Sequence, residues 1–437
     1  MTSTPEASTS WREFNRRLES QSKFGIELGL ERMRRALAEQ GHPQDAAQAA
    51  LVAGTNGKGG TCVFLAGILQ GHGRRVGLYT SPHLIDLTER FRVDGVPLPQ
   101  GVVEATGNRV LEEYGESVAD DAKRLTYFEL TTLMATLLFR DAGVDVAVYE
   151  VGLGGRLDAV NALEPDVSVI TNVDRDHTEY LGETLAEIAG EKCGILRAGV
   201  PAVVGHQTHA EALEAIEARL PEQASVSGRD FEWDDESTGE LRTALAGPFA
   251  DPGSVARTRL YNASAALEAA RRLLGGEFDR RRALDGLASS RWPGRLDWRD
   301  VDGVAVLFDS AHNPGAAEAL HAQIREWGSE FVAVVCGGMA DKELEEMFAR
   351  LAGGPSVWGA TLQSERSASA ERLREAIPED VLVEVAEVGE ALDRALHRGR
   401  EEGGSVLLYG SSYLVGEAFE HLGLSADSLV TYAVGED

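Results

Sequence analysis

The sequence predicts an α/β protein in two parts: a P-loop-type, mostly parallel sheet domain followed by a smaller Rossmann-like α/β domain. Three observations carry this expectation. Short apolar, β-rich runs alternate with longer helical stretches along the chain, the pattern of a parallel sheet covered by helices. The first of these runs breaks into glycines around a single lysine. At 437 residues the chain also exceeds the size at which one core usually stops growing.

In chain order, the first 20 residues are polar and are expected to form a disordered tail. Strands are expected at Ala50–Ala53, Arg75–Thr80, Val144–Val151, Val167–Asn172 and Val200–Gly205. A second series follows at Val304–Asp309, Phe331–Gly337, Val357–Thr361, Val381–Val385 and Val406–Gly410. Ala210–Leu220 and Asn262–Leu274 read as amphipathic surface helices. Gly228–Asp251 is acidic and glycine-punctuated and reads as an exposed hairpin or loop. Between the two series lies Arg291-Trp292-Pro293-Gly294-Arg295, whose Pro-Gly is a turn signal. The boundary is placed there, giving domains over residues 21–294 and 295–437.

Leu51–Thr61 reads L-V-A-G-T-N-G-K-G-G-T, a strand handing over to a loop able to cradle phosphate. Gly54, Gly57, Gly59 and Gly60 allow backbone N–H groups to face inward, with Thr55, Asn56 and Thr61 completing the loop. Lys58 would set a point charge against nucleotide phosphates. The common pattern has a glycine five positions before Gly57, where Val52 stands, and Ser or Thr directly after the lysine, where Gly59 stands, so this is a shortened relative of that loop. The plainer alternative is a glycine-rich turn with a solvated lysine.

Of the 42 lysines and arginines only Lys23, Lys58, Lys123, Lys192 and Lys342 are lysine. A lysine retained amid so much arginine fits a site that needs a compact ammonium. The net charge of −29 would repel nucleic acids and anionic membranes, so neither is an expected partner. Acid-rich, lysine-poor composition also suggests adaptation to a salt-rich solvent. Cys62, Cys193 and Cys336 form no disulfide or zinc pattern, which favours a reducing compartment. No apolar run approaches the ~18 residues of a membrane span, and the N-terminus lacks a leader pattern; a cytoplasmic protein is expected.

Polar residues gather where expected strands end, the place where ligands bind in open α/β sheets. Ser81, Glu150 and His177 together offer a hydroxyl, a carboxylate and an imidazole, a loose set suited to nucleotide-bound magnesium. Taken singly, Ser81 could be a helix cap, Glu150 an ion-pair partner and His177 a hydrogen-bonded core residue.

Several motifs in this order resemble the folate branch of the Mur ligase family, dihydrofolate synthase and folylpolyglutamate synthase. They are Gly54 to Gly59, Thr80 to Leu84 with Glu89-Arg90, and Thr126 to Glu129 with Thr131. Glu150 to Asp158, His177 to Gly182, Asp309 to Pro314 and Gly410 to Leu414 complete the set. The resemblance implies ATP-dependent amide ligation: a carboxylate takes the γ-phosphoryl group, and the amine of L-glutamate displaces phosphate. It implies ATP and Mg²⁺, with Ser81, Glu150 and His177 as metal ligands. Lys192 matches the family lysine carbamylated by carbon dioxide, which would make it a further metal ligand. Lys58, Lys192 and His177 are then the catalytic candidates, and Asn262, Arg295, Asp309 and His312 join the loop in gripping the nucleotide. Pro82, His83, Arg90, Phe128, Glu129 and Asp158 are the candidates for binding folate or pteroate and glutamate. A monomer is the family-like expectation.

This sequence departs from the family pattern in places. Gly60 stands where Ser or Thr is usual, Ser310 where glycine is usual, Arg259 where glutamine is frequent, and Arg175 adds a basic residue near His177. Rival readings are a Mur-type ligase for another carboxylic acid and a catalytically weak nucleotide-binding module.

Overall fold

The structure, a computed structural model, describes residues 9–21, 29–231, 235–246, 255–351, 356–379, 381 and 383–431. It divides into two compact units, with a division between Arg291 and Trp292. Pro82–Asp86 clusters with the unit built on Trp292–Leu429, while Val430 and Thr431 return to the first. That return is fixed by backbone bonds: Thr431 donates to the Gly95 carbonyl at 3.1 Å and accepts from Arg291 N–H at 2.5 Å.

The first unit is built on eight strands: β1 Gln48–Ala53, β2 Val76–Tyr79, β3 Phe91–Val93, β4 Val96–Pro97, β5 Val146–Glu150, β6 Val167–Ile170, β7 Ala202–Val204 and β8 Ala224–Val226. Their order is β4-β3-β2-β5-β1-β6-β7-β8. All neighbours are parallel except at the β2-β3-β4 edge. Strand β1 is central, paired with β5 on one side and β6 on the other, so the loop that leaves it sits where the chain's crossovers diverge. The central strands are continuous apolar runs because both sheet faces are covered by helices.

The helix after β1, Lys58–Gly71, is buried from Thr61 to Leu69, a core helix without a solvent stripe. It packs against helices Arg257–Leu274 and Arg280–Ser289. Gly67 and Gly286 face each other there; a Cβ on Gly67 would stand 2.9 Å from the Gly286 carbonyl oxygen, so bare backbone permits the crossing.

The second unit carries β9 Asp297–Val301, β10 Val304–Asp309, β11 Phe331–Cys336, β12 Ser356–Thr361, β13 Val383–Glu387 and β14 Ser405–Tyr409, in the order β13-β12-β11-β14-β10-β9. Only the β9-β10 pair is antiparallel. Apolar clusters lie on both faces of this sheet, giving the Rossmann-like layering.

Three expectations are corrected. Residues 1–8 of the expected tail lie outside the described residues, but Thr9–Glu19 is a helix, because Trp11, Phe14 and Leu18 share one face and are buried. Within Gly228–Asp251, Asp235–Ala246 is a helix, with Leu241 and Leu245 one turn apart and buried; residues 232–234 and 247–251 lie outside the described residues. Helix Arg257–Leu274 is longer than expected and largely buried rather than superficial, through its run of alanines.

Candidate functional site

The turn after β1 is shaped by two glycines in left-handed backbone, Gly54 (φ +156°) and Gly57 (φ +88°). It is stitched to the end of β6: Thr55 N–H donates to Asn172 O at 2.6 Å, and Thr171 Oγ1 donates to Asn56 O at 2.8 Å. Thr55 Oγ1 donates to Asp174 O at 2.9 Å and accepts from Asp174 N–H at 3.0 Å. Gly57 then caps helix Lys58–Gly71 with no side-chain cap, leaving the first helical N–H groups, including those of Gly59 and Gly60, at the loop.

Lys58 folds back over this loop, donating to Gly54 O at 3.0 Å and Thr55 O at 3.1 Å. Lys192, at the end of helix Leu185–Lys192, donates to the same Gly54 carbonyl at 2.9 Å and is only 3% exposed. Burial, aided by the nearby Lys58 charge, pushes the Lys192 amine down to about 7, against the weaker pull of Asp176 and Asp158. Thr61 Oγ1 is buried without a hydrogen-bond partner among the described residues, an orphaned hydroxyl in the first turn of the helix. Asn262, on helix Arg257–Leu274, lays its carboxamide against Gly57 and Gly60; a Cβ on Gly60 would lie 3.1 Å from Nδ2.

Glu150 ends β5 opposite Val52, is buried, and accepts the Ser81 N–H at 3.0 Å. His177 opens the short helix Thr178–Leu181 in left-handed backbone (φ +51°), and its Nε2 stands 3.9 Å from Asp176 Oδ1. Among the described residues no three His, Cys, Asp or Glu side chains gather as a metal cage. A hydroxyl residue, one carboxylate and one imidazole are still a donor set that suits magnesium, which keeps waters and phosphate oxygens as ligands.

Asp158 lies in the turn that follows Glu150. It is buried, and its carboxylate accepts N–H groups from Leu153 at 2.9 Å, Gly152 at 3.1 Å and Val160 at 3.0 Å. It therefore shapes the turn that follows Glu150. Burial pushes its carboxyl up to about 7 despite those three donors. Glu129 likewise closes a capping box with Thr126 at the start of helix Tyr127–Ala142 and pairs with Arg32 at 3.3 Å. The Phe128 ring packs 6.0 Å from Tyr79 and leaves no room for a side chain on Gly152. Arg90 is buried with its guanidinium 5.3 Å from the Tyr127 ring centre.

Arg295, Asp309 and His312 belong to the second unit, as do Pro82 and His83. Asp309 ends β10, is buried, and accepts from Leu296 N–H and Ala311 N–H, both at 2.8 Å. Burial raises its carboxyl above the usual value, with Arg295 pulling the other way. The sequence singles out the polar run Asn172–His177 at a strand end but assigns no role to Thr171, Asn172 or Asp176. Only the β1–β6 register brings the first two to the loop, and the D-R-D-H run after β6 was the available signal for Asp176.

Residues 52–227 match the Mur ligase middle domain and residues 294–412 the Mur ligase glutamate ligase domain. The dihydrofolate synthase/folylpolyglutamate synthase of Escherichia coli K12 is 36% identical over 431 residues, covering 95% of this chain and 96% of that protein. A probable bifunctional folylpolyglutamate synthase/dihydropteroate synthase of Haloferax volcanii is 34% identical over 91% of this chain, which spans 48% of that longer protein. Among solved structures, Mycobacterium tuberculosis folylpolyglutamate synthase complexed with ADP and AMPPCP superposes with a TM-score of 0.83 at 28% identity, covering 95% of this chain and 99% of that one. Escherichia coli FolC in complex with DHPP and ADP gives 0.79 at 32% identity, covering 96% and 99%. The two domain matches establish a Mur ligase, and the near full-length similarity to the Escherichia coli protein establishes that the chain belongs to the folylpolyglutamate synthase/dihydrofolate synthase branch of that family.

Proposed function

We propose that this chain is an ATP-dependent ligase joining L-glutamate to dihydropteroate, to folate glutamates, or to both, and releasing ADP and phosphate. The observation that carries the reading is the glycine loop from Gly54 to Thr61, with Lys58 and Lys192 meeting on one loop carbonyl. In the reaction the acceptor carboxylate oxygen attacks the γ-phosphorus, ADP leaves, and an acyl phosphate forms. The glutamate amine then attacks the acyl carbon, loses a proton, and phosphate departs with the transferred oxygen.

Lys58 exchanges its backbone carbonyls for phosphate oxygens and neutralises charge as it develops, as the N–H groups at the helix start do. Ser81, Glu150 and His177 would hold a magnesium ion, whose charge offsets that of the phosphates. The depressed Lys192 amine supports its assignment as a carbamate: near pH 7 a neutral fraction can add to carbon dioxide, losing a proton and gaining an anionic oxygen. Asn262 in the first unit, and Arg295, Asp309 and His312 in the second, are assigned to the nucleotide. Pro82, His83, Arg90 and Phe128 are assigned to the acceptor and glutamate; the caps and turns held by Glu129 and Asp158 favour supporting roles for those two.

Among the described residues no helix is long and apolar enough to cross a membrane. A cytoplasmic protein without a nucleic-acid partner is the reading that the −29 charge and three cysteines in no disulfide or zinc pattern support, and a monomer is the family-like expectation. ADP release with ATP and glutamate, comparing dihydropteroate and tetrahydrofolate as acceptors, tests the proposal. Release that rises with either acceptor supports it and tells the two tasks apart; release indifferent to both contradicts it.

A further inference from the structure

Ser310 stands where the family resemblance leads one to expect glycine, and its hydroxyl is not idle. It is buried, and its Oγ donates to the Gly294 carbonyl at 2.7 Å. The Ser310 backbone N–H donates to the same carbonyl at 2.9 Å. One oxygen with two lone pairs thus takes two donors from one residue. On its other side, the Ser310 carbonyl is 3.0 Å from His312 Nδ1.

The turn held in this way is strained. Gly294 is left-handed at φ +68°, and Leu296 is left-handed at φ +47°, a conformation that leucine keeps only where its surroundings over-determine it. The surroundings do so: Leu296 N–H is taken by Asp309, and Gly294 N–H by Asp297 Oδ2 at 3.0 Å. Arg295 lies between the two left-handed residues, and its N–H donates to the Trp292 carbonyl at 3.2 Å. The direction in which Arg295 leaves the backbone is therefore set by how firmly Gly294 and Leu296 are held.

From this geometry we propose that Ser310 is a positioning residue for the nucleotide. Its hydroxyl clamps the Gly294 carbonyl and fixes the turn that presents Arg295, while its carbonyl orients the His312 ring. The inference rests on the assignment of Arg295 and His312 to the nucleotide. The backbone clamp survives substitution by any residue that keeps an N–H, so the hydroxyl is the increment that Ser310→Ala or Ser310→Gly removes.

The test is an ATP titration at saturating acceptor and glutamate for the parent, Ser310→Ala, Ser310→Gly and Arg295→Ala, with thermal melting of each. Ser310→Ala and Ser310→Gly should raise KM for ATP about five-fold, the loss of one hydrogen bond worth ~1 kcal/mol, while kcat stays within about two-fold of the parent. The glycine variant guards against misfolding through its small volume. A parent-like KM in both variants, or a fall in kcat and melting temperature with KM unmoved, overturns the role of Ser310. If Arg295→Ala also leaves KM unmoved, the nucleotide assignment of this turn is wrong and the inference falls with it; a raised KM in Arg295→Ala alone condemns only Ser310.

Discussion

Lys58 and Lys192 share the Gly54 carbonyl, and the Lys58 ammonium so placed adds to burial in disfavouring charge on Lys192. Lys58→Ala should lower kcat by about 10²–10³-fold, the scale of losing one preorganised charge contact. Its melting temperature should stay near the parent's, because the loop is held by Thr55, Asn56, Thr171 and Asn172 rather than by the lysine alone. Lys192→Arg should also lose most activity, since a guanidinium offers no neutral amine for carbamylation; parent-like turnover would reduce Lys192 to a buried cation. Asp158 carries a pH signature. Its carboxyl titrates near 7 when folded and near the ordinary 3.8 when unfolded. Between those values the folded state holds the extra proton, so this group's contribution to stability falls as pH rises, by up to ~1.4 kcal/mol per unit. Denaturant midpoints at pH 5 and pH 7 for the parent and Asp158→Asn should show a smaller drop in the variant; identical drops would contradict the assignment.

At the scale of elements, the crossing of helices Lys58–Gly71 and Arg280–Ser289 depends on paired glycines. Gly67→Ala should destabilise the protein by ~1–3 kcal/mol in urea melts, because the new methyl meets backbone that cannot rotate away. Gly60→Ser differs, since its Cβ meets only the movable amide of Asn262. The ten expected strands all have counterparts, because strands buried on both faces announce themselves as apolar β-rich runs. The overlooked β3-β4 and β9-β10 hairpins both turn on Asp-Gly, at Asp94-Gly95 and Asp302-Gly303, with every turn residue at positive φ. That dipeptide was legible and was passed over. Helix Asp235–Ala246 was hidden because only Leu241 and Leu245 mark its buried face amid acidic and polar residues. In the site, the phosphate loop was local and therefore readable. The partners that β6 brings to it arise from register between distant segments, which spacing does not encode, and the clasp of Ser310 on Gly294 follows from closure of the β9-β10 hairpin.

For the molecule as a whole, the net charge of −29 is the dominant long-range term. Many exposed arginines pair with carboxylates, as Arg372 does with Glu345 and Arg394 with Glu390, but such pairs contribute little individually. Screening should therefore relieve more repulsion than it removes attraction. The Debye length shrinks from about 30 Å at 0.01 M to about 3 Å at 1 M, so the melting temperature should climb from dilute buffer to molar KCl; a flat profile contradicts salt adaptation. The central claim, ligation through an acyl phosphate, predicts the fate of a single oxygen atom. With dihydropteroate or folate labelled with ¹⁸O in the accepting carboxylate, and with ATP and glutamate supplied, mass spectrometry of the released phosphate should find one labelled oxygen per turnover. Phosphate free of label, accompanying formation of the glutamyl product, would contradict the account.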